Sequence, residues 1–362
     1  MEKNYIERFS RPAEIHAKNQ SIAYALAQVP RYIIEVVAFG GMIILVLFLM
    51  DKKGDFAEII PLITLYAFVG YRLIPATQHI YSSIATMRYS RPALSNLHKD
   101  LMYLKQSNQK TISLAKSISL NKLIDLKDIN YSYPGSTTIA LKNINIKIPA
   151  FSKVGIVGST GSGKTTLIDL ILGLLDFNQG TIRADENIIN KKNIRSWQKS
   201  IGYVPQQIFL SDLSIAENIA FGQNFKNIDL EAVVKAAKIA NIHEFVSNEL
   251  SKGYKTIVGE KGIRLSGGQR QRIGIARALY NEPKILILDE ATSALDNLTE
   301  KKFMDNIQNL TNKVTIIIVA HRLSTVKDCN KIFLMEKGEI KDQGTYGELM
   351  GKNKSFLAMT ST

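Results

Sequence analysis

An α/β domain of the P-loop kind, set behind an all-α region able to span a membrane, is the fold class that three features of this 362-residue sequence predict. Two long apolar runs, Ile33 to Met50 and Phe56 to Ala76, lie in the first third of the chain. Further on, a glycine-rich turn separates a short apolar segment from one with helical periodicity, and a later run of four aliphatics ends in two acids. The 362 residues suffice for about two domains. With 45% apolar residues the chain is not a charge-rich disordered one. Its 46 basic against 32 acidic residues leave +14, which suits nucleic acid, an anionic membrane face or a polyanionic nucleotide without choosing among them. The single cysteine, Cys329, excludes an intrachain disulfide and an all-cysteine metal site, and fits a reducing compartment.

Residues 1–30, rich in alanine and charge with Pro12 and Pro30 as punctuation, read as a cytoplasmic helical arm. Ile33 to Met50 carries one charge, Glu35, and as a helix spans roughly 27 Å, close to the ~30 Å of a hydrocarbon core. Phe56 to Ala76 holds Glu58 and Arg72 near its ends, where long side chains reach the headgroups, and membrane helices tolerate its Pro61 and Gly70. The polar turn Asp51 to Asp55 makes the two spans, about 32–50 and 56–76, an antiparallel pair within 31–105. The alternative is a hydrophobic hairpin inside a soluble core, but runs near 20 residues with charges only at the margins are those of spans. A signal peptide fits less well, since the run starts some thirty residues in and lacks a small-residue cleavage pattern. Lys3, Arg8, Arg11, Lys18 and Arg31 precede the pair and Arg88, Arg91 and Lys99 follow it, which places both ends in the cytoplasm. From Thr77 to about Lys105 the second helix continues as a polar extension, with Pro92 as a kink or break. Residues 106–122 lack aromatics and apolar clusters and read as a linker; a domain over 123–351 and a tail over 352–362 complete the chain.

Val154 to Val157 reads as a short strand, followed by Gly158-Ser159-Thr160-Gly161-Ser162-Gly163-Lys164-Thr165 and an apolar-periodic helix. In that context the glycines let backbone N–H groups close around phosphate oxygens at a helix N-terminus. Lys164 reaches the terminal phosphates and the Thr165 hydroxyl is placed for Mg²⁺. Ile285-Leu286-Ile287-Leu288 reads as a buried parallel strand, with Asp289 and Glu290 at its C-terminal edge, where open α/β sheets bind ligands. At that position Asp289 would hold Mg²⁺, directly or through water, and Glu290 would be placed to polarise an attacking water. Leu265-Ser266-Gly267-Gly268-Gln269 opens a helix and makes a second phosphate-binding N-terminus.

That last string resembles the signature of ATP-binding cassette (ABC) proteins, and the resemblance runs over essentially all of residues 123–351. It implies a cassette with a mixed-sheet core and a helical subdomain, using ATP and Mg²⁺. Tyr133 stands at the family's adenine-stacking position, where a strand tyrosine could equally be packing. Gln206, in YVPQQ, matches the Q-loop glutamine that contacts Mg²⁺ and the attacking water. Ser293-Ala294-Leu295-Asp296 matches the D-loop, and His321 the switch histidine near the γ-phosphate. Lys164, Gln206, Glu290 and His321 are then the catalytic set. The stretch 158–166, including Thr166, binds nucleotide together with Tyr133, Gln206, Asp289 and Asp296, while Thr165, Gln206 and Asp289 face the metal. In the family two cassettes pack head to tail, which implies a homodimer or heterodimer in which Ser266, Gly267, Gly268 and Gln269 act on the partner's ATP.

The first third resembles the end of an exporter transmembrane domain, of the type in lipid A and lipid-linked oligosaccharide flippases. That resemblance implies ATP-driven export of a lipid or lipid-linked glycan across a bacterial inner membrane, with the cassette in the cytoplasm and no nucleic acid partner. Exporters of this type carry six spans, and two are visible here. A truncated or split product, or a separate chain supplying the missing spans, follows as an expectation. Two rivals remain: a membrane-bound ATP-binding fragment without transport of its own, and a soluble ABC ATPase acting on nucleic acid.

Overall fold

The computed structural model describes residues 2–53, 56–108, 117–136, 138–291, 297–308, 313–320 and 322–359. The chain divides into two compact units, Met1–Thr111 and Ile112–Thr362.

Two helices make the first unit: α1, Glu2–Lys53, and α2, Phe56–Asn108. At 1.5 Å per residue each is about 80 Å long, over twice a hydrocarbon core, so both reach well past a single crossing. They fold back on each other as a hairpin. Gln78 Nε2 donates to Gln28 Oε1 at 3.2 Å, and a Cβ built on Gly41 would stand 3.4 Å from the Tyr66 hydroxyl. Both helices are long and apolar enough to cross a membrane, over Tyr5–Asp51 and Ile60–Met102, with mean hydropathies of 2.7 and 1.3 in their most apolar windows. Val36, Phe39, Ile43, Leu47 and Phe68 are exposed, so these are not the core helices of a globule. The prolines depart from expectation: Pro12, Pro30 and Pro92 lie inside continuous helices, as do Pro61 and Pro75. Each deletes one N–H donor, but in helices this long the turns on both sides keep the rest of the ladder.

The second unit contains two sheets. Its strands are β1 (Leu123–Tyr131), β2 (Leu141–Pro149), β3 (Lys153–Gly158), β4 (Gln179–Ala184), β5 (Asn187–Ile188), β6 (Ile201–Val204), β7 (Ile285–Asp289), β8 (Thr315–Ala320), β9 (Lys331–Glu336) and β10 (Glu339–Gly344). The antiparallel sheet runs β2-β1-β4-β5; the other runs β10-β9-β3-β8-β7-β6 and is parallel except at β10. The helices are α3 (Lys164–Ile171), α4 (Ile194–Lys199), α5 (Ile215–Ile219), α6 (Leu230–Ile239), α7 (Gly267–Leu279), α8 (Asn297–Gln308), α9 (Tyr346–Lys352) and α10 (Lys354–Ala358).

Alternation along β7 ties the layers together. Ile285 and Ile287 pack with Leu167, Ile168 and Ile171 of α3 and with Ile124, Leu126 and Ile146 of the antiparallel sheet. Leu286 and Leu288 pack on the opposite face with Ile273 and Ile275 of α7, Ile215 and Ile219 of α5 and Val233 of α6. Being covered on both faces, β3, β7 and β8 are buried at every position, which is why they read as unbroken aliphatic runs.

Both ends of this unit differ from the sequence reading. The tail over 352–362 is packed at least to Ala358: α10 buries Phe356 completely, edge-on to Tyr346 at 5.6 Å, and Asn353 caps it by accepting from the Phe356 N–H at 3.1 Å. One aromatic five residues past Gly351 is too thin a pattern to read as a helix. Within 106–122, α2 extends to Asn108 and Leu120 is already buried. Asp185 then grips the strand's start, its carboxylate accepting from the N–H groups of Asn121, Lys122 and Leu123 at 2.8, 2.8 and 2.9 Å. Partial burial pushes this carboxyl up, but the three N–H donors outweigh it and hold it below the usual aspartate range. Asp185→Ala therefore destabilises this unit by about 1–3 kcal/mol. A folded pKa below the unfolded one means stability present above pH ~4 and lost as pH falls towards the folded value, so wild type and variant converge in acid. Urea midpoints read by Trp197, the chain's only tryptophan and fully buried, check both statements.

Candidate nucleotide site

The parallel sheet delivers two loops to one edge. Strand β3, between β9 and β8, ends at Gly158, where any side chain would collide: a Cβ would lie 2.3 Å from the Met335 carbonyl oxygen and 2.6 Å from Ser162 Oγ. Gly161 and Gly163, at φ 78° and 102°, turn the chain in the left-handed region, and Gly163 caps α3 without a side-chain acceptor. The first-turn N–H groups of α3 are thus left for an anion. Ser159, Thr160 and Thr165 are exposed at this mouth, whereas Ser162 is buried and its Oγ has no hydrogen-bond partner. A buried hydroxyl left unpaired is costly, and a phosphate oxygen in the loop would satisfy it.

Lys164 is 6% exposed and folds back over the loop, its Nζ donating to the carbonyls of Gly158 (2.8 Å) and Ser159 (3.0 Å). Burial lowers its pKa, while Glu290 and Asp289 act to raise it. These two acids arrive on β7, one strand beyond β8. Asp289, 5% exposed, is pushed up first by burial and then by Glu290. The Tyr203 hydroxyl donates to its Oδ2 at 3.3 Å. Glu290 sits in the left-handed region at φ 52°, its N–H bonded to the Val319 carbonyl at 3.0 Å, a conformation that swings it out of the strand. Its carboxylate accepts from Gln206 Nε2 at 2.8 Å.

Tyr133 is fixed over the start of α3, its hydroxyl 3.0 Å from Thr166 Oγ1 and its ring edge-on to Tyr131 at 5.0 Å. The residue is 44% exposed. Ser266 is the N-cap of α7 in a capping box: it accepts from the Gln269 N–H at 3.2 Å, and Gln269 Oε1 accepts from the Ser266 N–H at 2.8 Å. Gly267 and Gly268 form the first turn. Among the described residues these four share no hydrogen bond with the P-loop of their own chain. His321 and Asp296, with Ser293, Ala294 and Leu295, lie outside the described residues.

The structure therefore brings together Lys164, Gln206, Asp289, Glu290, Tyr133 and Thr166. The buried carboxylate of Asp289 and the exposed hydroxyl of Thr165 are oxygen donors of the kind Mg²⁺ takes, so the residues present fit that ion. Sequence reasoning missed Tyr203, although it stands three residues before Gln206. It also missed Arg277, which donates to the backbone oxygens of Asn218 (2.7 Å) and Phe209 (2.9 Å) and so ties α7 to the segment following Gln206.

The family model for ABC transporters matches residues 141–293, the stretch that holds the P-loop, Gln206, the signature, Asp289 and Glu290. Over residues 141–293 the chain is similar to the cassette of ABC transporters. ABC transporter B family member 14 of Arabidopsis thaliana is 41% identical over 234 residues, 64% of this chain and 18% of its own length. The leukotoxin translocation ATP-binding protein LktB of Mannheimia haemolytica is 46% identical over 235 residues, 65% and 33% of the two chains. The leukotoxin export ATP-binding protein LtxB of Aggregatibacter actinomycetemcomitans is 43% identical over 254 residues, 69% and 36%. The chain thus spans about a fifth to a third of the length of these relatives. A solved structure of a bacterial Atm1-family ABC exporter with ATP bound superposes with a TM-score of 0.78 at 26% identity, covering 99% of this chain and 61% of that one. The second unit has the mixed sheets and helices of an ABC cassette.

Proposed function

We propose that the chain is the ATP-hydrolysing part of an ABC exporter, anchored by α1 and α2 in a bacterial inner membrane with its cassette in the cytoplasm. The observation that carries the reading is the convergence of Lys164, Asp289 and the hydrogen-bonded Gln206–Glu290 pair on the P-loop edge. Glu290 takes the proton of the attacking water, Gln206 orients that water with it, and Lys164 leaves its loop carbonyls for the terminal phosphates. Thr165, Asp289 and Gln206 would hold Mg²⁺, which when bound would neutralise charge on those phosphates. The exposed signature at Ser266 supports a head-to-tail dimer in which each site is completed by the partner chain. Further spans, in this polypeptide or another, complete the pathway.

For the cargo, the likeness of Val29 to Met50 to a membrane helix of lipid A and lipid-linked oligosaccharide flippases supports a lipid or lipid-linked glycan. The leukotoxin-exporting relatives match over 235 to 254 residues, about the length of the cassette, which in an exporter lies outside the cargo pathway. The full chain in membranes is expected to resist carbonate extraction, bind ATP and hydrolyse it only with Mg²⁺, with specific activity rising with protein density in the bilayer. Binding without turnover or self-association at any density overturns the reading and leaves an ATP-binding membrane fragment. Release by carbonate removes the membrane anchor.

A further inference from the structure

Tyr203 lies on β6 opposite Ile287 of β7, in parallel register. Asp289 is two residues past Ile287, so all three side chains stand on one face of the sheet, the face covered by α3. The ring of Tyr203 is half-buried against the aliphatics of that core. Its hydroxyl reaches beyond them to Asp289 Oδ2 at 3.3 Å. Asp169 of α3 lies in the same enclosure, one helical turn after Thr165 and close enough to act electrostatically on both groups. Burial, and after it the nearby acids Glu290 and Asp169, push the Asp289 carboxyl up, while the tyrosine hydroxyl is a neutral donor to it. A carboxylate in such surroundings is prone to turn away from its neighbours. A donor fixed on the adjacent strand opposes that rotation and leaves the second oxygen for a cation.

We propose that Tyr203 is a positioning residue for the Mg²⁺ that accompanies ATP, holding the Asp289 carboxylate in its metal-binding orientation through the Oδ2 hydrogen bond. The inference rests on the reading of Asp289 as the metal carboxylate. A phenylalanine would fill the same apolar space, so what the tyrosine adds there is the hydroxyl's bond to Asp289. Partners of ligating groups hold them in place, and their loss costs about tenfold or more in metal affinity.

The test uses the full chain in lipid nanodiscs and a fluorescent ATP analogue, with dissociation constants measured in EDTA and in excess Mg²⁺. The ratio of the two constants is the contribution of the metal. Tyr203→Phe is expected to lower that ratio about tenfold. Its constant in EDTA is expected to stay within about twofold of wild type, because the hydroxyl's bond is to Asp289 and acts through the metal that Asp289 holds. Asp289→Asn is expected to bring the ratio close to one. Folding of each variant is followed by Trp197, which is fully buried in the same unit. If Asp289→Asn collapses the ratio and Tyr203→Phe leaves it unchanged, the positioning role is overturned and the metal assignment stands. If Asp289→Asn retains the wild-type ratio, the metal assignment itself falls, and the role of Tyr203 with it. A loss of affinity by Tyr203→Phe that is equal in EDTA and in Mg²⁺ marks a packing effect and likewise overturns the proposal.

Discussion

Glu290→Gln is expected to lower kcat for ATP hydrolysis by 10² to 10⁴-fold, about the range a positioned general base supplies, and to leave ATP binding within about threefold. Glutamine preserves the length of the side chain and an oxygen that can accept from Gln206 Nε2, now at 2.8 Å, so the local geometry survives. It cannot take a proton from water. The left-handed backbone at Glu290 is kept by its N–H bond to Val319 and is independent of the side chain's charge. Removing that charge also takes away one of the influences raising the pKa of Asp289, which leaves that carboxylate more fully ionised. Binding and turnover should therefore separate cleanly. Single-turnover hydrolysis beside equilibrium binding, both on the full chain, measures the two quantities, and undiminished hydrolysis in the variant would sink the assignment of Glu290 as base.

Most of this site was legible because its parts are local. The P-loop needs glycines at fixed offsets between a strand and a helix, and Gly158, pressed against Met335 and Ser162, and Gly163 at φ 102° meet that need within eight residues. The aliphatic run before Asp289 is a direct consequence of parallel neighbours on both sides. What escaped notice depends on pairing across the sheet. Nothing in YVPQQ announces that Tyr203 faces Asp289, since the two are 86 residues apart and meet only through the register of β6 on β7. The same holds for Asp185, which binds backbone 62 to 64 residues upstream. The prolines erred in the opposite direction. A rule for short helices expects them to interrupt, whereas in α1 and α2 the helix on either side is long enough to carry them.

Lys164→Ala is expected to weaken ATP binding by some thirty- to several-hundred-fold, about 2–4 kcal/mol, the worth of a charge-assisted contact made in a dry site. The ammonium is already largely buried in the free protein and, among the described residues, is bonded to the carbonyls of Gly158 and Ser159, so little further desolvation opposes its move to the phosphates. Arginine is a poor substitute, because its planar fork cannot fold back into the space an ammonium occupies against two carbonyls. Lys164→Arg should therefore recover little of the lost affinity. The lysine's lowered pKa adds a pH signature. Burial favours its neutral form and the two acids favour the charged one, so in the free protein protons leave it at a lower pH than an ordinary lysine. ATP affinity depends on the charged form and should decline on the alkaline side before a free lysine would titrate. Glu290→Gln removes one of the two supporting acids, so its alkaline decline should begin at a lower pH than that of wild type. A pH series of equilibrium binding on both proteins reads the order directly. A decline that begins at the same pH in both would mean that Glu290 does not support the charge on Lys164.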